Sequence, residues 1–218
     1  ENRYEHTIIQ SKVEEYEQKL RNAIEMSNGN PFCQNLRTVI LEQVNFENYL
    51  ENYVPECVLL KNIPKLKEEI KLQIEEDEFI VKKLIKEGSY GTIHVVENSE
   101  GLFAAKQVKP TNLWEYFIYE ELLDRLKSNR LDHMLPAFMS VTKSIIANNS
   151  SILISKFSKY GSLTDVCKKF RKVTNGRNLD EYVVMVLTCE LLSIIDFLHG
   201  CQIIHANIKP DNFLLMSP

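Results

Sequence analysis

The spacing of apolar residues predicts helices in the first part of the chain. One helical face would carry apolar residues at steps of three and four, namely Ile9, Val13, Tyr16, Leu20 and Ile24. Gly29 and Asn30 should end this helix, and a second helix is expected from Pro31 to about Tyr53. The two helices could pack together or offer a docking surface to a partner helix, and the pattern leaves both open. Alternation over residues 70–74 then predicts a short strand.

From residue 79 the pattern changes to short β-prone runs that are separated by turns. Strands are predicted at residues 79–85, 92–97, 102–108, 138–146 and 151–157, with a helix at 113–126 after the third strand. After Gly161 the pattern becomes helical, with a long helix expected at residues 179–200. Five strands with one inserted helix, followed by helices, predict an α+β fold of two lobes.

Composition narrows the classes of protein. The chain has 218 residues, 44% of them hydrophobic, and a formal net charge of −4, which argues against a general nucleic-acid binder. Its five cysteines form no C-x-x-C pair, so a reduced, intracellular protein is expected. No apolar run was expected to approach the roughly 20 residues of a membrane span. The start at Glu1, without a signal peptide, suggests a piece of a longer protein.

The turn in "KEGSYGTIHV" offers a candidate phosphate-binding loop. Gly88 and Gly91 take the second and third glycine positions of the protein-kinase pattern G-x-G-x-x-G-x-V, and Ile93 takes the valine position. Lys86 stands where that pattern has its first glycine. Backbone N–H groups in such a turn can hold phosphate when side chains leave room for it. An ordinary hairpin turn would explain the same residues, so the motif alone does not decide.

A lysine in the next strand extends this resemblance. Lys106, in "FAAKQV", stands where a kinase lysine would hold the α- and β-phosphates of ATP. Such a lysine needs a helix glutamate as its partner, and Glu115 is the candidate, with Glu120 and Glu121 as rivals on the same helix. The later stretch "SKYGSLTDV" resembles the hinge between kinase lobes, although a simple turn before a helix would also fit.

The stretch "IIHANIKPDNFLL" carries the strongest signal in the sequence. It has the spacing of the catalytic loop H-x-D-x-K-x-x-N, with His205, Lys209 and Asn212 in their places. In the kinase pattern the asparagine coordinates Mg²⁺ and the lysine contacts the transferred phosphate. Asn207 replaces the aspartate that accepts the hydroxyl proton, and a carboxamide cannot accept that proton. Ala206 replaces the arginine that grips a phosphorylated activation loop, so control by such phosphorylation is not expected.

Four segments together resemble the Bub family of spindle-assembly-checkpoint serine/threonine kinases, with the first two most similar to its BubR-like branch. They are "NPFCQNLRTVIL", "IPKLKEEIKLQIEEDEFIVKKLI", "KPTNLWEYFIYEELLDRL" and "IIHANIKPDNFLL". The resemblance implies that Lys106 and Glu115 form the lysine–glutamate pair and that ATP and Mg²⁺ are the cofactors. It further implies protein substrates, kinetochore and checkpoint protein partners, and an intracellular place in the cytoplasm or nucleus and at kinetochores in mitosis. Neither nucleic acid nor a membrane is expected as a partner.

The implied fold is α+β and bilobal, of the protein-kinase type. Residues 1–78 would form a helical N-terminal extension that packs on the small lobe. Residues 79–157 would form the small lobe, with five strands and one helix. Residues 158–218 would form the hinge and the start of a helical large lobe, through the catalytic loop.

Asn207 leaves three hypotheses for the function. The chain could be a serine/threonine kinase domain that is inactive in this form, a natural pseudokinase that serves as a scaffold, or a small-molecule phosphotransferase. Lys209 followed by Pro210 counts against the third. Survival of the glycines, Lys106, Glu115 and Asn212 favours a replaced aspartate over a long-lost activity. The sequence stops before any D-F-G segment, so this chain alone should not transfer phosphate.

Overall fold

The computed structural model describes residues 2–30, 32–54, 56–89 and 91–216, except for the side chains of residues 2–13. Its helices are α1 (Asn2–Ser27), α2 (Gln34–Gln43), α3 (Phe46–Tyr53), α4 (Trp114–Ser128), α5 (Leu163–Val173) and α6 (Glu181–Gly200). Its strands are β1 (Cys57–Leu60), β2 (Lys71–Ile74), β3 (Asp77–Gly88), β4 (Gly91–Asn98), β5 (Gly101–Val108), β6 (Val141–Ala147) and β7 (Ser151–Lys156). Two 3₁₀ turns are Asp132–Ala137 and Pro210–Asn212. Ile9 and Val13 of the predicted apolar face lie outside the described side chains.

The strands of the described chain form one sheet in the order β1-β6-β7-β5-β4-β3-β2. Strand β1 pairs in parallel with β6, and the other neighbours are antiparallel. The five strands predicted within residues 79–157 correspond to β3 to β7, and the segment before them adds an edge strand on each side. Strand β2 was expected from its alternation. Strand β1 is only four residues long and was missed, since so short a run has too little pattern to recognise.

The second predicted helix is broken into α2 and α3. The break falls at Asn45, whose φ of 48° is left-handed, a conformation that asparagine tolerates better than most residues. The break turns α3 so that Phe46 and Leu50 are buried in a cluster with Tyr116 and Phe117 of α4. The rings of Phe46 and Phe117 meet edge to face, with 5.3 Å between their centroids. Packing against α4 thus decides against one continuous helix.

The main core lies on one face of the sheet and is covered by the segment between β1 and β2. Ile63 and Leu66 of this segment are 2% exposed and pack with Phe79, Val81 and residues of β5, β6 and β7. A segment without strand pairing would leave its backbone groups unbonded in the core. Two side-chain amides meet this need. Those of Gln107 and Asn149 bond to the main chain of residues 63–66.

Later elements begin close to their predicted positions. Strand β6 begins at Val141 instead of residue 138, because Asp132–Ala137 forms a 3₁₀ turn that contains Pro136. Helix α5 follows the turn at Gly161 with a capping box: Asp165 N–H donates to the Ser162 hydroxyl, and the Ser162 N–H donates to the Asp165 carboxylate. Helix α6 begins at Glu181, capped by Asp180.

Helix α6 is long and apolar enough to cross a membrane by length and composition alone. It spans 20 residues with a mean hydropathy of 1.8, and only 6% of it is buried. The expectation that no apolar run approaches that length was therefore wrong. The helix carries Glu190 and Asp196 within its apolar sequence. An apolar helix of this kind also suits the core of a larger helical lobe.

Candidate active site

Lys106 and Glu115 form an ion pair between strand β5 and helix α4. The Lys106 Nζ lies 2.6 Å and 2.8 Å from the two carboxylate oxygens of Glu115. Their side chains are 29% and 43% exposed, so the pair lies near the surface and not in the core. Glu115 stands in the first turn of α4, where a carboxylate is favoured by the helix dipole. The structure thus selects Glu115 from the three glutamates that the sequence offered.

The two rival glutamates have other partners. Glu120 accepts a hydrogen bond from the Tyr49 hydroxyl of α3 at 3.3 Å, and burial raises the pKa of its carboxyl. Glu121 pairs with Arg125 one helical turn later, at 2.7 Å. Arg125 in turn donates to the carbonyl oxygens of Cys201 and Gln202, just after the end of α6. These contacts dock α4 onto its neighbours and leave Glu115 as the glutamate that faces β5.

Strand register places Lys86, Ile93 and Lys106 in one row. Lys86 is opposite Ile93, and Ile93 is opposite Lys106. Directly opposed residues on paired strands project to the same face of the sheet. This face is the one that bears the Lys106–Glu115 pair, whereas Gln107 projects into the core on the other face. Ala104, two residues before Lys106, projects to the same face as Lys106 and was not singled out from the sequence.

Of the two predicted glycines, the fold requires one and not the other. Gly91 has a φ of 107°, and a Cβ added there would lie 2.2 Å from the carbonyl oxygen of Gln107, so the neighbouring strand requires glycine. A Cβ added at Gly88 would meet no atom of the described chain within 4 Å. The fold therefore does not demand glycine at 88. The space beside it is of the kind that a phosphate-binding turn must leave open.

The hinge is joined to the chain that follows the catalytic loop. The Ser158 hydroxyl donates to the Leu215 carbonyl at 2.6 Å, and the Leu215 N–H donates to the Gly161 carbonyl at 3.0 Å. Ser162 also forms a β-bridge with Leu214. Gly161 has a φ of 80°, and a Cβ there would lie 2.8 Å from the carboxylate of Asp165. Sequence spacing gave no signal for these contacts, because they join segments more than 50 residues apart.

The catalytic loop is folded by its own side chains. The Asn207 N–H donates to His205 Nδ1 at 3.2 Å, and the His205 ring stacks on Phe213 with 5.9 Å between centroids. The Asn212 Nδ2 donates to the Asn207 carbonyl at 2.7 Å. That bond orients the amide of Asn212 so that Oδ1 is its remaining metal-binding atom. An amide oxygen is a ligand type that Mg²⁺ accepts, so Asn212 fits the predicted metal position.

Two other residues of the loop have distinct backbone positions. Ala206 has a φ of 57°, a left-handed conformation that costs an alanine about 1–2 kcal/mol. Lys209 is extended and caps the 3₁₀ turn Pro210–Asn212. The residue after that proline, Asp211, lies 3.7 Å from the Nζ of Lys86 on β3. This contact between the glycine-rich hairpin and the catalytic loop was not predicted from the sequence.

Fold and site together define the class of the protein. The seven-stranded sheet with the Lys106–Glu115 pair, followed by a hinge and a loop bearing Asn207 and Asn212, constitutes an α+β, protein-kinase-like fold. The crystal structure of a BubR1 kinase domain matches it with a TM-score of 0.81 and 44% sequence identity, over 87% of this chain and 56% of that one. No protein-family model matches the chain.

Two curated relatives narrow the class further. The chain is 29% identical over 213 residues to the spindle assembly checkpoint serine/threonine-protein kinase BUB1 of Saccharomyces cerevisiae, which covers 90% of this chain. It is 30% identical over 160 residues to the mitotic checkpoint serine/threonine-protein kinase BUB1 of Mus musculus, which covers 70% of this chain. The chain spans 21% and 15% of the lengths of these two relatives. The chain belongs to the Bub family of kinase domains.

Proposed function

We propose that this chain is the nucleotide-binding part of a spindle-checkpoint serine/threonine kinase domain, and that Asn207 makes it inactive in phosphoryl transfer. The observation that carries the proposal is the formed Lys106–Glu115 pair, at 2.6 Å. In a kinase this pair must be in place before ATP can be held for transfer. By family, the substrates are proteins with serine or threonine hydroxyls, and the setting is the kinetochore in mitosis.

The residues around the pair support a nucleotide site. Lys106 would hold the α- and β-phosphates, and the hairpin at Gly88 and Gly91 would cover them, with Ile93 beside them on the same face of the sheet. Asn212 would contribute Oδ1 to a magnesium ion and Lys209 would contact the transferred phosphate. Magnesium supplies charge neutralisation on the phosphate oxygens when it is bound. Each of these roles follows from the position of the residue in its element and awaits a binding experiment.

Asn207 removes the proton acceptor for phosphoryl transfer and leaves the shape of the loop unchanged. An aspartate at this position accepts a hydrogen bond from the substrate hydroxyl and takes up its proton. The carboxamide of Asn207 has no basic oxygen at neutral pH, so the proton has no acceptor there. The main chain of Asn207 still bonds to His205 and Asn212, so the shape of the loop is kept.

Titration of Mg-ATP into the protein tests the nucleotide site. We expect saturable binding that Lys106→Ala weakens strongly and that Glu115→Gln weakens less, because the amide retains only part of the restraint on Lys106. Lys71→Ala is the matched control, since Lys71 pairs with Glu78 at 2.9 Å on strands β2 and β3. If Lys71→Ala and Lys106→Ala had equal effects, or if Mg-ATP at millimolar concentration did not bind, the nucleotide site would be disproved.

Restoring the aspartate tests the inactivity. In a chain lengthened through the D-F-G segment, Asn207→Asp should raise phosphate incorporation into a protein substrate by about 10²–10⁴ in kcat. A smaller change in KM is expected where substrate binding is alike in the two forms. The control adds Lys106→Ala to Asn207→Asp and should return the rate to background. Equal rates in all three proteins would favour a scaffold.

The second candidate function is a natural pseudokinase that serves as a scaffold for checkpoint proteins. The observations that favour it are Asn207 in place of the catalytic aspartate and the 44% identity to a BubR1 kinase domain, the branch to which the first two segments are most similar. In that case Asn207 is native, the fold stabilises the parent protein, and partners bind its surface. A kinetochore-recruitment assay with Asn207→Asp separates the two: unchanged function in cells, without restored catalysis, supports the scaffold.

The exposed apolar surface of α6 fits a large lobe better than a membrane. The chain covers 56% of the matched BubR1 kinase domain, and that domain has further residues beyond the matched part. We expect α6 to be covered by the rest of a large lobe, and no membrane to be bound. A chain lengthened to the full domain should bind less of a hydrophobic dye than this chain, and neither should bind neutral lipid vesicles. Vesicle binding by the longer chain would overturn this expectation.

A further inference from the structure

One ion pair joins the glycine-rich hairpin to the catalytic loop. The Nζ of Lys86, near the end of β3, lies 3.7 Å from the Oδ1 of Asp211, in the 3₁₀ turn that ends at Asn212. Lys86 belongs to the small-lobe sheet, whereas Asp211 belongs to the segment that follows α6. The pair therefore joins the sheet that carries Lys106 to the catalytic loop.

The position of Lys86 in the sheet explains how it reaches across. It lies in one row with Ile93 and Lys106, so its side chain projects from the same face as the Lys106–Glu115 pair. The kinase pattern has a glycine at this position, and a glycine has no side chain with which to cross the cleft. A lysine there supplies a flexible chain that ends in a positive charge. Asp211 supplies the opposite charge directly beside Asn212.

Glu87, the residue after Lys86 in the hairpin, pairs with a different part of the molecule. The Glu87 carboxylate accepts from the Nζ of Lys65 at 3.3 Å, and Lys65 lies in the segment that closes the core between β1 and β2. The position of that segment is fixed by Ile63 and Leu66, which are buried on either side of Lys65. Consecutive residues of one hairpin, Lys86 and Glu87, are thus tied to two different parts of the molecule.

We propose that the Lys86–Asp211 pair is a latch between the lobes, which holds the hairpin closed over the cleft and sets the rate of nucleotide entry and release. The second half of this statement rests on the proposed nucleotide site; the first half does not. The latch needs no bound ligand, because both charges belong to the chain. Screening by salt should weaken it, since the two side chains are 57% and 42% exposed.

Because the side chains of Lys86 and Asp211 are both exposed, their ion pair can shift the equilibrium between open and closed forms only modestly. Exposed ion pairs contribute about 0.2–1 kcal/mol, which corresponds to a change of about 1.4- to 5-fold in an equilibrium constant. We therefore expect loss of the latch to raise the ratio of open to closed molecules by about 1.4- to fivefold. Nucleotide release should accelerate by a similar factor.

The closure itself is measured without nucleotide. Fluorophores carried on unnatural amino acids at Ser99, in the β4–β5 turn, and Lys172, at the end of α5, report the distance between the lobes. Lys86→Glu and Asp211→Lys should each shift the distances towards the open form and remove their dependence on salt. The double variant Lys86→Asp with Asp211→Lys should restore closure, because the pair is re-formed with the charges exchanged.

A matched control separates the latch from a general effect of charge. Lys71→Glu reverses a charge in an exposed pair of the same type, but both partners lie in the β2–β3 hairpin of the small lobe. It should leave the distance between the lobes unchanged. The latch is overturned if Lys86→Glu behaves like Lys71→Glu, or if the exchanged pair stays as open as the single variants.

Stopped-flow release of a fluorescent ATP analogue tests the second half of the proposal. Release should be about 1.4- to fivefold faster from Lys86→Glu and Asp211→Lys, and should return towards the parent rate in the exchanged pair. Bound analogue with equal release rates in all variants would overturn the rate-setting role. If the parent protein does not bind the analogue, the proposed nucleotide site and the rate-setting role both fail, and the distance measurement still decides on closure.

Discussion

Gln107 should be one of the residues that most strongly attach the segment between β1 and β2 to the sheet. Its side chain is 4% exposed and points into the core from β5. The Leu66 N–H donates to Oε1 at 3.0 Å, and Nε2 donates to the Pro64 carbonyl at 2.8 Å. A side chain here takes the place of a missing strand partner, because residues 63–66 pair with no strand.

The variant Gln107→Leu keeps a similar volume and removes these two hydrogen bonds, together with a longer third bond from Nε2 to the Ser150 hydroxyl at 3.3 Å. The buried Leu66 N–H is left without a partner, at about 2 kcal/mol, and the lost bond to Pro64 costs about 1 kcal/mol. The added apolar burial of leucine returns about 1 kcal/mol. We therefore expect the free energy of unfolding to fall by about 2 kcal/mol, which lowers the urea midpoint by about 1 M for a protein of this size.

The control is Gln73→Leu, a substitution of the same type at an exposed position. Gln73 donates only to the Glu75 carbonyl, at 2.7 Å, and its loss should change stability by less than about 0.5 kcal/mol. Hydrogen exchange gives a second readout. Gln107→Leu should expose the Leu66 amide to exchange while Asn149 continues to protect the Ile63 amide, its partner at 2.9 Å. Equal urea midpoints for the two leucine variants would refute the reasoning.

Three further predictions concern the hairpin, the hinge and the docking of α4. Gly91→Ala should unfold the protein readily because its Cβ meets the Gln107 carbonyl, whereas Gly88→Ala should keep thermal stability and weaken Mg-ATP binding in a titration. The Ser162 N–H holds the pKa of Asp165 below its ordinary value, so the stability this bond gives is present above about pH 4 and is lost as the pH falls further. Asp165→Asn should therefore flatten the acid limb of a stability–pH curve. Arg125→Met should cost about 1–3 kcal/mol in urea unfolding, since two carbonyl oxygens lose a charged donor.

The order of elements could be predicted from the sequence because each has a local pattern. Alternation over residues 70–74 predicted β2, short β-prone runs predicted β4 and β5, and the change to a helical pattern after Gly161 predicted α5. The features that the sequence did not predict depend on contacts between residues that are distant in the chain. The break at Asn45 follows from the packing of α3 on α4, and the parallel pairing of β1 with β6 joins residues more than 80 positions apart. No local period encodes either contact.

Some residues of the candidate site could likewise be predicted from local sequence, whereas others depend on contacts between distant segments. Motif spacing predicted roles for Lys106, Asn207 and Asn212, because the kinase pattern fixes their intervals and, except at Asn207, their residue types. It left three glutamates open as partners of Lys106, and only the packing of α4 selects Glu115. The Lys86–Asp211 contact had no signal at all. Lys86 looked like a departure from the glycine pattern, and its partner is 125 residues away.

Asn207 shows why fold and activity can separate at one residue. In the described part of the chain, its hydrogen bonds to His205 and Asn212 run through its main chain and leave its carboxamide outside the bonds that shape the loop. Asparagine and aspartate have nearly the same volume, and either side chain can be carried by this backbone. Under the proposed function, the geometry that would position the group facing the substrate hydroxyl is the same whether or not that group can take a proton. Such a loop would lose its base in a single substitution while it keeps its shape, its lysine–glutamate pair and the amide proposed to bind magnesium.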